Sequence, residues 1–288
     1  MVVDHRSSVP PSPHSAMRAG YVHGYHPREA ERLHDQANTL VDLLHADTAY
    51  PGGAAVLEAG CGVGAQTVTL ARRSPGARFT SIDVSSASLD QARRRVTEAG
   101  LTNVELRQAD IFALPFPAGS FDHVFVCFVL EHLPRPAEAL TALMTVLRPG
   151  GTLTVIEGDH GSAYFHPDDA DARAVIDCLV TLQREDGGDA TIGRRVYPLL
   201  IDAGLEAVRV SPRMVYVDGS RPALAEGFTR RTFAAMMEAP RERAIAAGLV
   251  SPAVFDAGVR ALYRAAELDG VFCYTFFKGV GQKRRGDA

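Results

Sequence analysis

VLEAGCGVGAQT, residues 56–67, sets an apolar run and an acid, Glu58, directly before glycines at positions 60, 62 and 64. An apolar run, a glycine-spaced turn and a return to helix-forming residues read as a strand, a tight turn and a helix N-terminus. Glycine at such a turn lets the backbone bend sharply. It also lets a ligand approach amide groups that a Cβ would cover. The turn alone leaves the ligand open, because Gly60, Gly62 and Ala65 also satisfy the permissive G-x-G-x-x-G/A pattern of dinucleotide sites.

Outward from this turn the chain alternates. Strands are predicted at 54–59, 78–83, 103–109, 123–129 and 152–157, with helices at 67–73, 88–100 and 136–151 between them. Gly100 and the Pro149–Gly150 pair mark helix ends. Strand alternating with helix implies an α/β, Rossmann-like, doubly wound sheet with right-handed crossovers. Beyond Glu157 the alternation loosens: 161–204 reads as helical, 206–217 contains a strand, 222–269 reads as mostly helical, and VFCYTFFKGVGQK (271–283) is a strongly β-prone run that completes the sheet. The helical stretch before that run is too long for a plain connection and is expected to form a cap. The resulting division is a flexible, Ser- and Pro-rich tail at 1–20, an N-terminal helical lid at 21–50, a core at 51–213, a cap at 214–270, and the final strand with its tail at 271–288.

Composition narrows the function classes. The 288 residues carry a formal net charge of −4, and the basic residues fall in twos and threes, so no phosphate-tracking surface and no nucleic-acid partner are expected. Cys61, Cys127, Cys178 and Cys273 show no paired spacing, which argues against a zinc site or a disulfide framework. No metal is expected, and reduced thiols in a cytoplasmic protein are the simplest reading. The N-terminus lacks the apolar core of a signal peptide, and no apolar run approaches the length of a membrane span.

Three acids choose among ligands. Glu58 stands two residues before the first glycine, where a pyrophosphate would meet an unwelcome negative charge but the ammonium of an amino-acid group would find a partner. Asp83 ends the second strand, where a carboxylate can accept from ribose hydroxyls, and serves either ligand. Asp110 ends the third, where it can accept from an exocyclic adenine amine beside the apolar Ile111 and Phe112. One adenine, one ribose and one amino acid fit these positions.

That combination resembles the class I S-adenosyl-L-methionine-dependent methyltransferases over most of residues 54–157. The matching motifs are EAGCGVG at 58–64, SIDVS at 81–85, QADIFALPFPAGSFDHVF at 108–125, VLEHL at 129–133 and LRPGGTL at 147–153. The resemblance implies seven strands with the last inserted antiparallel. It implies Glu58 and the Gly60, Gly62, Gly64 loop at the methionine part, Asp83 on the ribose, Asp110 with Ile111 at the adenine, and Val129 beside the sulfonium. The YVHGY segment and the helix ending in RLHDQA are similar to the lead-in of small-molecule methyltransferases of specialised metabolism, which implies that Tyr21, Tyr25 and Gln36 close over the cofactor. Among these the resemblance extends to carbon methylation of a prenylated indole alkaloid with coupled cyclisation. The implied partner is a small apolar acceptor, and a mobile tail before an amphipathic helix allows exchange of that segment in a homo-oligomer.

Plainer readings stand beside several residues. Asp83 and Asp110 also suit helix caps or turns. His132 at the end of the fourth strand is a candidate general base or a residue held by packing, and Tyr21 is a candidate catalytic aromatic or a packing one. The competing activities are oxygen or nitrogen methylation and, on a similar sheet, nicotinamide-dependent oxidoreduction. Against the last stand Glu58 and the lack of an evident Tyr-x-x-x-Lys constellation.

Overall fold

The structure, a computed structural model, describes residues 40–285. Seven strands form one sheet in the order β3-β2-β1-β4-β5-β7-β6. They are β1 (Ala55–Ala59), β2 (Arg78–Asp83), β3 (Val104–Gln108), β4 (Phe121–Cys127), β5 (Leu147–His166), β6 (Leu205–Val217) and β7 (Val271–Lys283). The first five pair in parallel, whereas β7 runs antiparallel between β5 and β6. Parallel strands covered on both faces need apolar residues throughout. β1 obeys this, with Val56 and Leu57 fully buried, as does the centre of β4, with Val124, Phe125 and Val126.

Helices α1 (Ala65–Arg73), α2 (Ser86–Glu98) and α3 (Pro136–Val146) fill the crossovers. Ser85 caps α2 by accepting from the Ser88 amide, and Pro136 opens α3 where its missing N–H costs nothing. Beyond β5 come α4 (Ala170–Glu185) and α5 (Val196–Asp202). A π-helix (Ala225–Ala234), α6 (Arg241–Ala246) and α7 (Pro252–Arg264) follow β6. The boundary drawn at 213/214 thus falls inside β6, and the helical stretch begins after Val217.

Two sequence expectations are corrected. The helix expected over 136–151, ending before Pro149, stops at Val146, because Leu147 pairs with Phe121 of β4; residues 148–151 form an irregularity before Thr152 resumes the register opposite His123. The helix expected from 161 begins only at Ala170, because β5 continues to His166. Gly158 and Asp159 pair with Phe276 and Thr275, residues 160–163 bulge out of register, and Tyr164, Phe165 and His166 resume pairing with Cys273, Phe272 and Val271.

The extended β5 reaches past its parallel neighbours. β4 ends at Cys127 opposite Ile156, so everything from Glu157 to His166, with its β7 partners, overhangs the carboxyl edge of the parallel strands. Ligands of open α/β sheets bind at that edge.

Residues 40–45 are helical, with Leu40 and Leu44 buried. Lys278, a buried cation on β7, anchors the end of this segment by donating to the Leu44 carbonyl (3.3 Å), Asp47 Oδ1 (2.6 Å) and Thr48 Oγ1 (2.5 Å). Arg213 of β6 pairs with the same Asp47. His45 joins the segment to α1 through Gln66 Oε1 at 2.7 Å, and burial lowers its pKa to about 4, so its ring is neutral. The lead-in is therefore fixed beside the helix that carries the glycine loop.

Candidate cofactor and acceptor site

The loop between β1 and α1 is a fold-determined cradle. Gly60, Gly62 and Gly64 all have positive φ, at 78°, 51° and 79°. Their surroundings differ. A Cβ on Gly60 would lie 2.5 Å from Val129 Cγ2, and one on Gly64 would lie 2.9 Å from the Ala92 Cβ on α2. One on Gly62 would meet no atom within 4 Å among the described residues. Two glycines thus serve packing, and the middle one faces open space at the crest.

Asp83 closes the cradle from the end of β2. Its Oδ2 accepts from the Gly62 amide at 2.8 Å and its Oδ1 from the Ser85 amide at 2.9 Å. Each oxygen keeps a lone pair for a further donor. Burial raises its pKa, and the same backbone amides work against that shift.

Glu58 lies beneath the loop, 2% exposed. Its Oε2 accepts from Thr67 Oγ1 of α1 (2.7 Å) and Ser81 Oγ of β2 (2.6 Å), so this oxygen ties strand, loop and helix together. Burial pushes its pKa up to about 7, with the two hydroxyls working in the opposite direction. Glu58 is thus divided between its two protonation states near neutrality, and a cation bound above the loop would favour the ionised one.

Asp110 follows β3 and accepts from the Phe112 amide through Oδ1 at 2.9 Å, which shapes the turn that carries Ile111 and Phe112. Ile111 is buried in the core beside Ile82, and Arg135 stacks over the Phe112 ring at 5.1 Å. Gly60, Gly62, Gly64, Asp83 and Asp110 gather at the carboxyl ends of β1, β2 and β3. Val129 reaches them from the end of β4 through its contact with Gly60. Tyr21, Tyr25 and Gln36 lie outside the described residues.

Beyond the end of β4 the fold brings Phe128 and the β7 aromatics together with Phe228 and Phe233, which the sequence reads as cap core or the lining of an apolar pocket. Phe128, directly after β4, has φ 57°, a left-handed conformation rare for a bulky side chain and characteristic of functional turns. Its ring lies 5.3 Å from Phe276. Phe276, Tyr274 and Phe272 alternate along β7 and so share one face. Phe228 and Phe233 of the π-helix pack on that face, with Phe233 4.7 Å from Phe272 and Phe228 5.8 Å from Tyr274. His160 Nδ1 lies 2.6 Å from the Tyr274 hydroxyl. The result is an aromatic cluster beyond the end of β4, its rings on β7 and the π-helix buried in the core and only Phe128 partly buried. The one sequence signal for it was the aromatic density of 271–283 and of the Phe228 to Met237 stretch, which by itself reads as strand and cap core.

His132 ends a short 3₁₀ turn (Leu130–His132), with its Nε2 3.7 Å from Glu131 Oε1. Glu157, at the end of β5's central apolar run, is fully buried and holds the start of that turn. Its Oε1 accepts from the Val129 amide at 3.1 Å and the Leu130 amide at 2.8 Å. An acid closing the apolar run TLTVI was the available signal. Among the described residues no group of three or more His, Cys, Asp or Glu could hold a metal ion, and no helix is long and apolar enough to cross a membrane.

The antiparallel β7 between β5 and β6 separates this sheet from the dinucleotide fold, whose strand order is 3-2-1-4-5-6. Residues 57–155 match the family model described as a methyltransferase domain. Over residues 57–155 the chain carries a methyltransferase domain. A protein of transposon Tn4556 from Streptomyces fradiae, uncharacterised and of 37.1 kDa, is 37% identical over 213 residues, 72% of this chain and 56% of that protein. A demethylmenaquinone methyltransferase from Listeria monocytogenes is 38% identical over 106 residues, 36% of this chain and 45% of that protein. The chain spans about half the length of the curated relatives it matches.

Among solved structures, phosphoethanolamine N-methyltransferase 2 of Haemonchus contortus with S-adenosylhomocysteine has a TM-score of 0.59 at 15% identity, covering 93% of this chain and 60% of that one. The [4+2]-cyclase SpnF has a TM-score of 0.52 at 21% identity, covering 88% and 82%. At these identities the likeness is one of fold. The cofactor of such methyltransferase domains is S-adenosyl-L-methionine, and the open space over Gly62 with the remaining lone pairs of Asp83 fits it.

Proposed function

We propose that this protein transfers a methyl group from S-adenosyl-L-methionine to carbon of a small apolar natural product, with a prenylated indole alkaloid such as a geranylated indolactam as the acceptor class. The observation that carries this reading is the apolar, aromatic character of the region beyond the end of β4, where the partly buried Phe128 leads into the buried cluster of Phe276, Tyr274, Phe272, Phe228 and Phe233. When bound, the cofactor supplies an electrophilic methyl group on a sulfonium. The chain's residues then position and shield: the Gly62 crest and Asp83 hold the donor, Val129 abuts its loop, and the aromatic cluster behind Phe128 gives an apolar acceptor a dry backing. An alkene acceptor needs no base for its attack. Its π electrons would form the new carbon–carbon bond as the methyl–sulfur bond breaks and its electron pair stays on sulfur, a second double bond would close a ring on the resulting cation, and a proton would leave last. Aromatic faces favour that charge, which apolar burial alone would not.

Tyr21 and Gln36 belong to the proposal as contacts that close over the cofactor, and residues 21–50 as its lid. Segment exchange between subunits is part of the same reading. A second reading rests on the Glu131–His132 pair at 3.7 Å: a carboxylate beside an imidazole suits a general base, and so an oxygen or nitrogen acceptor. Incubation with methyl-labelled cofactor and a geranylated indolactam separates the two. Label on carbon supports the first reading, whereas label on oxygen or nitrogen overturns it in favour of the second.

A further inference from the structure

Glu157 sits where a neutral carboxylic acid would be needed and a carboxylate would be out of place. Its Oε1 is satisfied by the Val129 and Leu130 amides, but Oε2 is buried without a hydrogen-bond partner. Apart from the Val129, Leu130 and Glu131 amides, the neighbouring side chains are acceptors or acids. Glu131 of the 3₁₀ turn faces it, and Cys127 of β4 feels the charges of Glu157, Glu131 and Glu58. Gln183 of α4 donates its Nε2 to the Glu131 carbonyl at 3.0 Å and to Glu131 Oε2 at 3.4 Å, which leaves Gln183 Oε1 as a second buried acceptor without a partner. From β7 the cation Lys278 reaches this group only as a minor influence on Cys127, being committed to Asp47 and Thr48. A cluster with two orphaned acceptors is short of a donor, and a proton on Glu157 supplies one.

We propose that Glu157, in its protonated form, is the positioning residue of the methyl-transfer site: it clamps the turn at Val129 and Leu130 that sets Val129 against the Gly60 loop. The chain of contacts is continuous. Glu157 Oε1 fixes the Val129 amide, and the Val129 side chain fills the space in which a Gly60 Cβ would stand. Burial, with Glu131 beside it, holds the Glu157 carboxyl well above the usual carboxylate range, consistent with the neutral form. Ionisation would leave a buried charge balanced only by backbone amides, with Glu131 beside it.

The inference rests on the methyl-transfer reading, but its test separates the two. Glu157→Gln keeps the clamping oxygen and offers N–H donors where the neutral acid offers O–H. Glu157→Ala removes the clamp, and Glu157→Asp, one methylene shorter, replaces it should the alanine variant fail to fold. Affinity for S-adenosylhomocysteine by calorimetry at neutral pH should stay within about threefold of wild type in Glu157→Gln and weaken by roughly tenfold or more in the clampless variant. Unfolding midpoints of the free proteins supply a readout that needs no cofactor. An acid whose folded pKa is raised contributes stability fully present below its unfolded pKa and lost as pH rises through the folded one. The wild-type midpoint should therefore fall more steeply than that of Glu157→Gln as pH rises above the ordinary carboxylate range. Parallel midpoint curves, or a glutamine variant as weak as the alanine one, would overturn the proposal. Failure of the wild type itself to bind would overturn the methyl-transfer reading and leave the midpoint comparison to judge Glu157.

Discussion

Gly62→Ala isolates the ligand-facing role of the glycine loop from its packing role. Gly62 has φ 51°, and an L-residue in the left-handed region costs about 1–2 kcal/mol. No steric penalty adds to this, since the new Cβ meets no atom within 4 Å among the described residues. For a chain of this size about 1 kcal/mol moves the unfolding midpoint by roughly 2–4 °C, so the variant should unfold about 2–8 °C lower and remain folded at room temperature. The same Cβ stands in the space over the loop, where the cofactor must approach the backbone. Affinity for S-adenosylhomocysteine should fall by about tenfold or more, equivalent to about 1.4 kcal/mol. Gly60→Ala is the control with the opposite balance: its Cβ would lie 2.5 Å from Val129 Cγ2, so the loss appears mainly in stability. Scanning fluorimetry and titration calorimetry on both variants give the two quantities separately. A Gly62→Ala protein that binds S-adenosylhomocysteine with wild-type affinity would refute the placement of the cofactor over this loop.

Asp83→Ala removes a charged acceptor worth about 1.5–3 kcal/mol, so S-adenosylhomocysteine binding by calorimetry should weaken roughly tenfold or more, and an unchanged affinity would count against the ribose assignment. Glu58, with its pKa raised to about 7, contributes stability that is full below its unfolded pKa and is lost as pH rises through about 7. Glu58→Gln keeps an oxygen for Thr67 and Ser81, so its melting curves should show a shallower fall from about pH 5 to 8, the difference reaching about 3 kcal/mol; identical slopes would contradict the raised pKa. His132→Ala should leave turnover within about threefold if the acceptor is a carbon, whereas general-base removal typically costs about 10²–10⁴-fold.

Much of this molecule was legible in the chain itself, because local patterns report local constraints. The strands at β1 and β2 end where Glu58, Asp83 and the glycines said they would, since an apolar run that stops at an acid or a glycine leaves the sheet wherever it is placed. The same three glycines did not reveal which of them packs and which faces a ligand; Val129 and Ala92, which decide it, are distant in sequence. The length of β5 was invisible for a similar reason. Gly-Asp-His-Gly has little strand propensity, and the strand carries past it only because β7 pairs on both sides of the bulge, at Gly158 and Asp159 before it and at Tyr164 to His166 after it. The aromatic cluster and the buried Glu157 are likewise products of tertiary structure. Phe128, Phe228 and Phe276 are spread over nearly 150 residues of sequence and meet only because β7 inserts antiparallel beside β5. A carboxyl acquires a raised pKa only when the folded chain removes its water and sets another acid beside it.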